Sequence, residues 1–333
     1  MADYAKPDSI VTTDWAAEHL NDPKVRLIEV DVDTAAYDTG HAPGAVGWNW
    51  KSDLETHVVR NVADKAGIEK LLSQAGVDKD TTVVLYGDNN NWFAAYALWL
   101  LKYYGVENAK LMNGGRKKWV DEGRAITTDA PNHSATSFSV KSPNDKIRIL
   151  REEVLKSYDK KDVGLVDVRA PKEYSGELLA PENLPQEGAQ RGGHIPGAKN
   201  IPWGQAVNED GTFKSREDLE KLYGGQGITP DKDIIAYCRI GERSAHTWFV
   251  LTHLLGYRTS ATTTVRGRSG VRWWVLLSRN SQSQEPQAPP TLRARQAAPL
   301  RGRDVEQRQV ELGVVVDYGI RFVDRRQGGR RRA

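Results

Sequence analysis

Cysteine occurs once in the 333 residues. That excludes an intramolecular disulfide framework and any cysteine-rich zinc site, and it suits a reducing compartment. No stretch approaches the roughly 18 apolar residues of a membrane span, and the opening MADYAKPDSIVTTDW has no basic region leading into an apolar run. A soluble, cytoplasmic chain is expected. Lysine is missing from residues 258–333, which hold 16 Arg against 6 acidic residues, whereas residues 1–257 hold 31 basic and 38 acidic residues. The net charge of +3 thus conceals an acidic body and a basic tail, and an acidic body is not expected to bind nucleic acid. The length favours two domains of about 100–200 residues each.

What is present is a repeat. "LIEVDVDTAAYDTGHAPGAVGWNW" from Leu27 returns as "LVDVRAPKEYSG" and "GGHIPGAKNIPW" from Leu165, with His41 on His194 and Trp50 on Trp203 at one offset of 153. Further on, Tyr86 falls on Tyr237 and Gly87 on Cys238 at an offset of 151. In each copy a short apolar run, VVLY or IIAY, suits a strand buried on both faces of a parallel sheet. A polar turn and an amphipathic stretch follow, Trp92 to Tyr104 and Ser244 to Leu255. The order strand, turn, helix predicts α/β domains with helix N-termini aimed at the turns. Residues 127–145, rich in Ser, Thr, Asn and Pro, read as the linker between a first domain over 1–126 and a second over 146–257.

Both copies carry Gly-His-x-Pro-Gly-Ala. Proline and glycine shape a turn into the next strand, and His41 and His194 are expected to hydrogen-bond locally, since neither has a second ligand at metal spacing. Trp48, Trp50, Trp92, Trp99 and Trp203 are read as core or interface residues. Gly224-Gly225 reads as a turn, because no Lys-Ser or Lys-Thr follows it.

The stretch YCRIGERSAH holds Cys238, followed by Arg239, Ile240, Gly241, Glu242, Arg243 and Ser244. A loop this short between a strand and a helix can turn successive backbone N–H groups inward as an anion nest. Those dipoles, the helix N-terminus and two arginines all favour a thiolate. A buried, inert cysteine is the competing reading, but two arginines and a glycine within five residues fit a core position poorly. The first copy has YGDNNNWFA in the same slot, without cysteine or arginine. Glu242 is expected to face solvent, since pointing inward it would repel an anion.

On these residues and both GHxPGA motifs, the chain over 1–257 resembles the tandem-domain rhodaneses of the thiosulfate sulfurtransferase family, with an inactive first domain and a catalytic second one. The resemblance implies two rhodanese-like domains, each a mainly parallel sheet flanked by helices. It implies that Cys238 is the nucleophile, that the loop Arg239 to Ser244 cradles the substrate, and that Asp167 and Arg169 support the loop. It implies transfer of sulfane sulfur from thiosulfate to cyanide or a thiol through a Cys238 persulfide, with no metal or organic cofactor. In the resembling family, mercaptopyruvate users carry a small uncharged loop, so Arg239 and Arg243 favour thiosulfate. The alternatives are a mercaptopyruvate sulfurtransferase and a persulfide carrier or regulatory module. A cysteine phosphatase fits less well, because four residues separate Cys238 from Arg243 where that loop pattern has five.

After Tyr257 the chain reads RTSATTTVRGRSGVRWW, which pairs with nothing in the first copy. One choice of codons for it, read two bases on, spells DVRNYDGSWTEWGSVV, an ending like that of rhodanese catalytic domains. A nucleotide missing near the Tyr257–Arg258 junction is therefore expected, with residues 258–333 an aberrant, disordered tail and the second domain short of its last strand and helix. A nucleic-acid-binding tail is the competing reading.

Overall fold

In the first domain, β1 (Ile10–Val11), β2 (Val25–Glu29), β3 (Val46–Gly47), β6 (Thr82–Tyr86) and β7 (Ala109–Met112) form a parallel sheet in the order β1-β7-β6-β2-β3. A short antiparallel pair, β4 (Glu55–Thr56) and β5 (Asn61–Val62), stands apart from it. The computed structural model describes residues 3–56, 61–180, 192–257 and 260–263. All of β2 is buried, along with Val83 to Tyr86 of β6. Helices cover both faces of such a sheet, which is why these strands are apolar runs rather than alternating ones. The helices are α1 (Thr13–Glu18), α2 (Ala36–Thr39), α3 (Lys65–Gln74), α4 (Asp88–Tyr103) and α5 (Gly115–Asp121). Asp64 caps α3 by accepting the Gly67 N–H at 2.8 Å.

The second domain repeats the plan. Its strands β8 (Arg148–Ile149), β9 (Val163–Asp167), β10 (Lys199–Asn200), β11 (Asp233–Tyr237) and β12 (Ser260–Thr263) lie parallel in the order β10-β9-β11-β12-β8. Element for element this is the order of the first sheet. Its helices are α6 (Arg151–Leu155), α7 (Pro171–Ser175), α8 (Arg216–Gly224) and α9 (Glu242–Phe249), the last continued by a π-helical turn over Val250–Leu254.

The strand β12 corrects one expectation. The sequence puts residues 260–263 in a tail beyond the domain, yet they pair with both β11 and β8 and hold the place that β7 holds in the first copy. Parallel pairing uses backbone N–H and C=O groups, and the β-branched run around Ser-Ala-Thr-Thr suits a strand, so the slot is filled without the side chains of the first copy. Residues 258–259 and 264–333 lie outside the described residues, as does the expected disorder there.

The two domains share one apolar cluster, with Trp50, Phe93 and Trp99 from the first and Phe213, Trp248 and Phe249 from the second. The helix α4 packs on α9 at its centre. Residues Phe93 to Leu101 are all buried, which accounts for a helix that is apolar all round. Trp48, Trp50 and Trp99 are buried, while Trp92 and Trp203 are half-buried and meet at the interface with ring centroids 5.5 Å apart. The linker is without regular secondary structure from 128 to 144 and lies along the first domain, where Val140 N–H donates to Glu69 at 3.0 Å and Lys141 N–H to the Tyr104 carbonyl at 3.0 Å. Among the described residues, no helix is long and apolar enough to cross a membrane.

Candidate active site

The strand β11 ends at Tyr237 and delivers Cys238 to the carboxyl edge of the second sheet, where open α/β sheets bind their ligands. Gly241 has φ +116° and is the N-cap residue of α9, a conformation glycine reaches at little cost. That turn folds the chain back so that the Gly241 N–H donates to Cys238 Sγ at 3.1 Å. Ser244 Oγ in turn donates to the Gly241 carbonyl at 2.9 Å and fixes the bend. The sulfur therefore sits at a helix N-terminus with a backbone donor already on it, an arrangement that stabilises negative charge there. Cys238 is 2% exposed, Ser244 is buried, and Ile240 is half-buried at the turn.

The two loop arginines do not stand open. Arg243 donates from both terminal nitrogens to the Glu173 carboxylate, at 2.6 and 2.9 Å. Arg239 Nε lies 3.6 Å from the same carboxylate, and Arg239 also donates to the Leu179 carbonyl. Glu173 belongs to α7 and is 1% exposed. Burial alone would raise the Glu173 value, but the hydrogen bonds and charge of Arg243, with Arg239 and Arg169 behind them, hold it below the usual carboxylate range. Burial would lower the Arg243 value, and Glu173, Cys238 and Glu242 together raise it, so the guanidinium keeps its charge.

The expectation for Glu242 is overturned. It is 2% exposed, not solvent-facing, because α9 starts two residues before the expected Ser244 and takes Glu242 into its first, buried turn. A carboxylate is favourable at a helix N-terminus, which offsets part of the cost of burying it.

Asp167 and Arg169 come together at the end of β9. Arg169 donates to both Asp167 oxygens, at 2.9 and 2.6 Å, and to the Gly193 carbonyl at 2.7 Å. Asp167 is paired in register with Tyr237, the residue before the cysteine. The Tyr237 hydroxyl accepts the Ile195 N–H at 3.2 Å, and its acidity is suppressed by burial and by the charge of Asp167. Asp167 is thus joined to the residue before Cys238 through the neighbouring strand. The GHxPGA histidines each stack on the tyrosine upstream, but His41 also reaches the linker, its Nε2 3.1 Å from the Asp129 carbonyl; His194 stacks on Tyr174 at 3.6 Å with its Nδ1 3.0 Å from the Tyr174 carbonyl. His41 does the same with Tyr37 at 3.8 and 3.0 Å.

The first copy shows what a closed version of this site looks like. A side chain on Gly87 would run into the Val30 carbonyl, so no cysteine fits there. Asn89, Asn90 and Asn91 take left-handed φ values of 43°, 58° and 63°, a conformation that asparagine tolerates better than most residues. Asp31 stands where the second copy has Arg169, and it accepts the Asp88 N–H at 2.7 Å. Trp92 occupies the slot of Arg243 and crosses the interface, its ring centroid 5.8 Å from the Arg243 guanidinium carbon.

Reading the sequence missed Glu173 and the inward role of Trp92. A signal for both was available in the repeat. Counting back one residue from the stacked tyrosines aligns Glu173 with Ala36, and the 151 offset aligns Arg243 with Trp92.

The family described as Rhodanese-like domain matches this chain twice, over residues 12–122 and 150–270. A Saccharopolyspora erythraea protein named "Putative thiosulfate sulfurtransferase" is 54% identical over 253 residues, 76% of this chain and 89% of its own. The sulfur carrier protein TtuD of Thermus thermophilus is 55% identical over 257 residues, 76% of this chain and 90% of its own. Among solved structures, the anaerobic ergothioneine biosynthesis enzyme from Chlorobium limicola, in complex with trimethyl histidine, superposes with a TM-score of 0.67. It is 26% identical, over 79% of this chain and 68% of that one.

Proposed function

The chain belongs to the rhodanese-like domain family, and on that premise we propose that it is a thiosulfate sulfurtransferase working through a persulfide on Cys238. The observation that carries the reading is the position of the lone cysteine: at the end of β11, at the N-terminus of α9, with the Gly241 N–H on its sulfur. Sulfur-transfer names among relatives that are more than half identical support the chemistry.

In the first half-reaction the Cys238 thiolate attacks the outer sulfur of thiosulfate. A sulfur–sulfur bond forms to Cys238, the sulfur–sulfur bond of thiosulfate breaks, and sulfite leaves with that electron pair. In the second, cyanide attacks the outer persulfide sulfur, thiocyanate departs and the Cys238 thiolate returns; a thiol acceptor does the same work in a cell. The Gly241 N–H and the α9 terminus stabilise the anionic sulfur in both states, while Arg239 and Arg243, held on Glu173, line the loop beside it. A reducing, cytoplasmic setting suits a chain whose single thiol must stay unoxidised.

The test is thiocyanate formation from thiosulfate and cyanide. Parallel double-reciprocal plots, as for a ping-pong route, with activity lost in Cys238→Ser, support the reading. Activity that survives Cys238→Ser removes it. A sulfur carrier is the second reading, favoured by the burial of the sulfur and by the commitment of both arginines to Glu173. On that reading the persulfide forms but passes to cyanide much more slowly than to a protein thiol.

A further inference from the structure

We propose that Glu173 sets the charge selectivity of the Cys238 site, favouring monoanionic sulfane-sulfur donors such as organic thiosulfonates and low-molecular-weight persulfides over the inorganic dianion. The inference rests on the sulfurtransferase reading and deepens it. Two arginines beside a cysteine suggest a site built for a doubly charged donor, and the geometry says otherwise. The planar fork that Arg243 would offer to a sulfonate-like group is filled by a carboxylate of matching shape, at 2.6 and 2.9 Å. The same carboxylate stands 3.6 Å from Arg239 Nε.

Charge gives the argument its direction. Arg243 interacts with the charges of Cys238, Glu173 and the buried Glu242, and Arg239 lies beside the same Glu173 carboxylate. The arginines and the glutamates cancel, so a Cys238 thiolate leaves the site with one negative charge in surplus. Bringing in a dianion then meets about twice the repulsion that a monoanion meets, in a buried place where solvent screens little. A dianion also has to share Arg243 with Glu173, or displace it.

The first copy acts as a control. It keeps the strand, the GHxPGA turn and the stacked Tyr37–His41 pair, yet it has Ala36 where the second copy has Glu173 and Gly87 where the second has Cys238. The carboxylate accompanies the cysteine rather than the fold. Glu173 also accepts the Ala170 N–H at 3.3 Å, capping α7, which keeps its side chain turned toward the arginines.

The experiment measures kcat and KM for thiosulfate and for methanethiosulfonate in the wild type, Glu173→Gln and Glu173→Asp. Removing the charge with Glu173→Gln is expected to lower the thiosulfate KM about tenfold while that for methanethiosulfonate moves little, since like charges brought together in a desolvated site discriminate by at least that much. Glu173→Asp keeps the charge but is one methylene too short for the two-pronged grip, so its ratio of KM values shifts part of the way. This second variant carries the test should Glu173→Gln fail to fold. A KM ratio unmoved in both variants, or a rise in KM for both donors, makes Glu173 a brace for Arg243 and overturns the assignment. A separate readout guards the premise: each donor must add one sulfur to wild-type Cys238. If neither does, the sulfurtransferase reading falls, and this assignment falls with it; if sulfur is added but the ratio is fixed, the assignment alone falls.

Discussion

Trp92 and Arg243 fill the same slot in the two copies of the fold, and they meet face to face: the indole centroid lies 5.8 Å from the guanidinium carbon across the domain interface. The first domain thereby contributes a wall beside the Cys238 loop of the second. A cation over an aromatic face is worth about 0.5–2 kcal/mol. Trp92→Ala is expected to raise KM for an anionic donor about fivefold as Arg243 loosens, with the Cys238 persulfide still forming. An unchanged KM would show that the indole serves only the interface with Trp203.

The Asp167–Arg169 pair is buried on both sides, with side-chain exposures of 0% and 2%. Asp167→Ala takes the carboxylate from the buried Arg169 and leaves it only the Gly193 carbonyl and the more distant Glu173, a loss that costs about 3–5 kcal/mol in such settings. Urea unfolding of this variant and of the double variant Asp167→Ala/Arg169→Met checks it. The double variant should recover much of the loss, because it removes the stranded charge; a loss under about 1 kcal/mol in the single variant would contradict the buried pairing.

Acid stability turns on two histidines of the second domain. Burial lowers His246 to about 3, against a weak opposing effect of the Asn90 backbone, and burial with the charges of Lys6 and Lys102 lowers His253 to about 3. The unfolded chain takes up these protons near pH 6.5, the folded one not until about pH 3. Their contribution is therefore complete above pH 6.5 and is lost as the pH falls toward 3. Between pH 7 and pH 5 each histidine should cost about 2 kcal/mol of stability. Urea midpoints at the two pH values should show a smaller fall in His246→Gln than in the wild type, and equal falls would defeat the idea.

Asp31 acts with the opposite sign. Burial first, then the charge and hydrogen bond of Glu29 and the charge of Asp88, push its carboxyl up to about 9. The raised value means that stability is complete below the unfolded value near 4 and declines as the pH rises toward 9. Asp31→Asn removes the titration and can still accept the Asp88 N–H. It should equal the wild type at pH 4 and exceed it increasingly up to pH 8; a variant less stable at pH 8 would show that Asp31 is held as a carboxylate.

The repeat made much of the fold legible. Aligning His41 on His194 and Tyr86 on Tyr237 places the central strands of both sheets, because parallel α/β units write buried strands as short apolar runs. The Cys238 loop was legible for a similar reason, since a strand, a glycine turn and a helix follow within a few residues. The repeat sets Glu173 against Ala36, but the partner of Glu173 was not legible. Its role depends on α7 lying against α9, a tertiary contact spanning 70 residues from Glu173 to Arg243 that local pattern does not encode. Glu242 was misread by two residues of helix, enough to turn a side chain from solvent to core. The strand at 260–263 escaped notice because backbone pairing depends little on side-chain identity.

The most direct measurement is the intact mass of the purified chain after incubation with thiosulfate, and again after cyanide. The account predicts a gain of one sulfur atom, removed by cyanide and absent in Cys238→Ser. A sulfur gain that persists in Cys238→Ser, or no gain from thiosulfate or methanethiosulfonate, would contradict it.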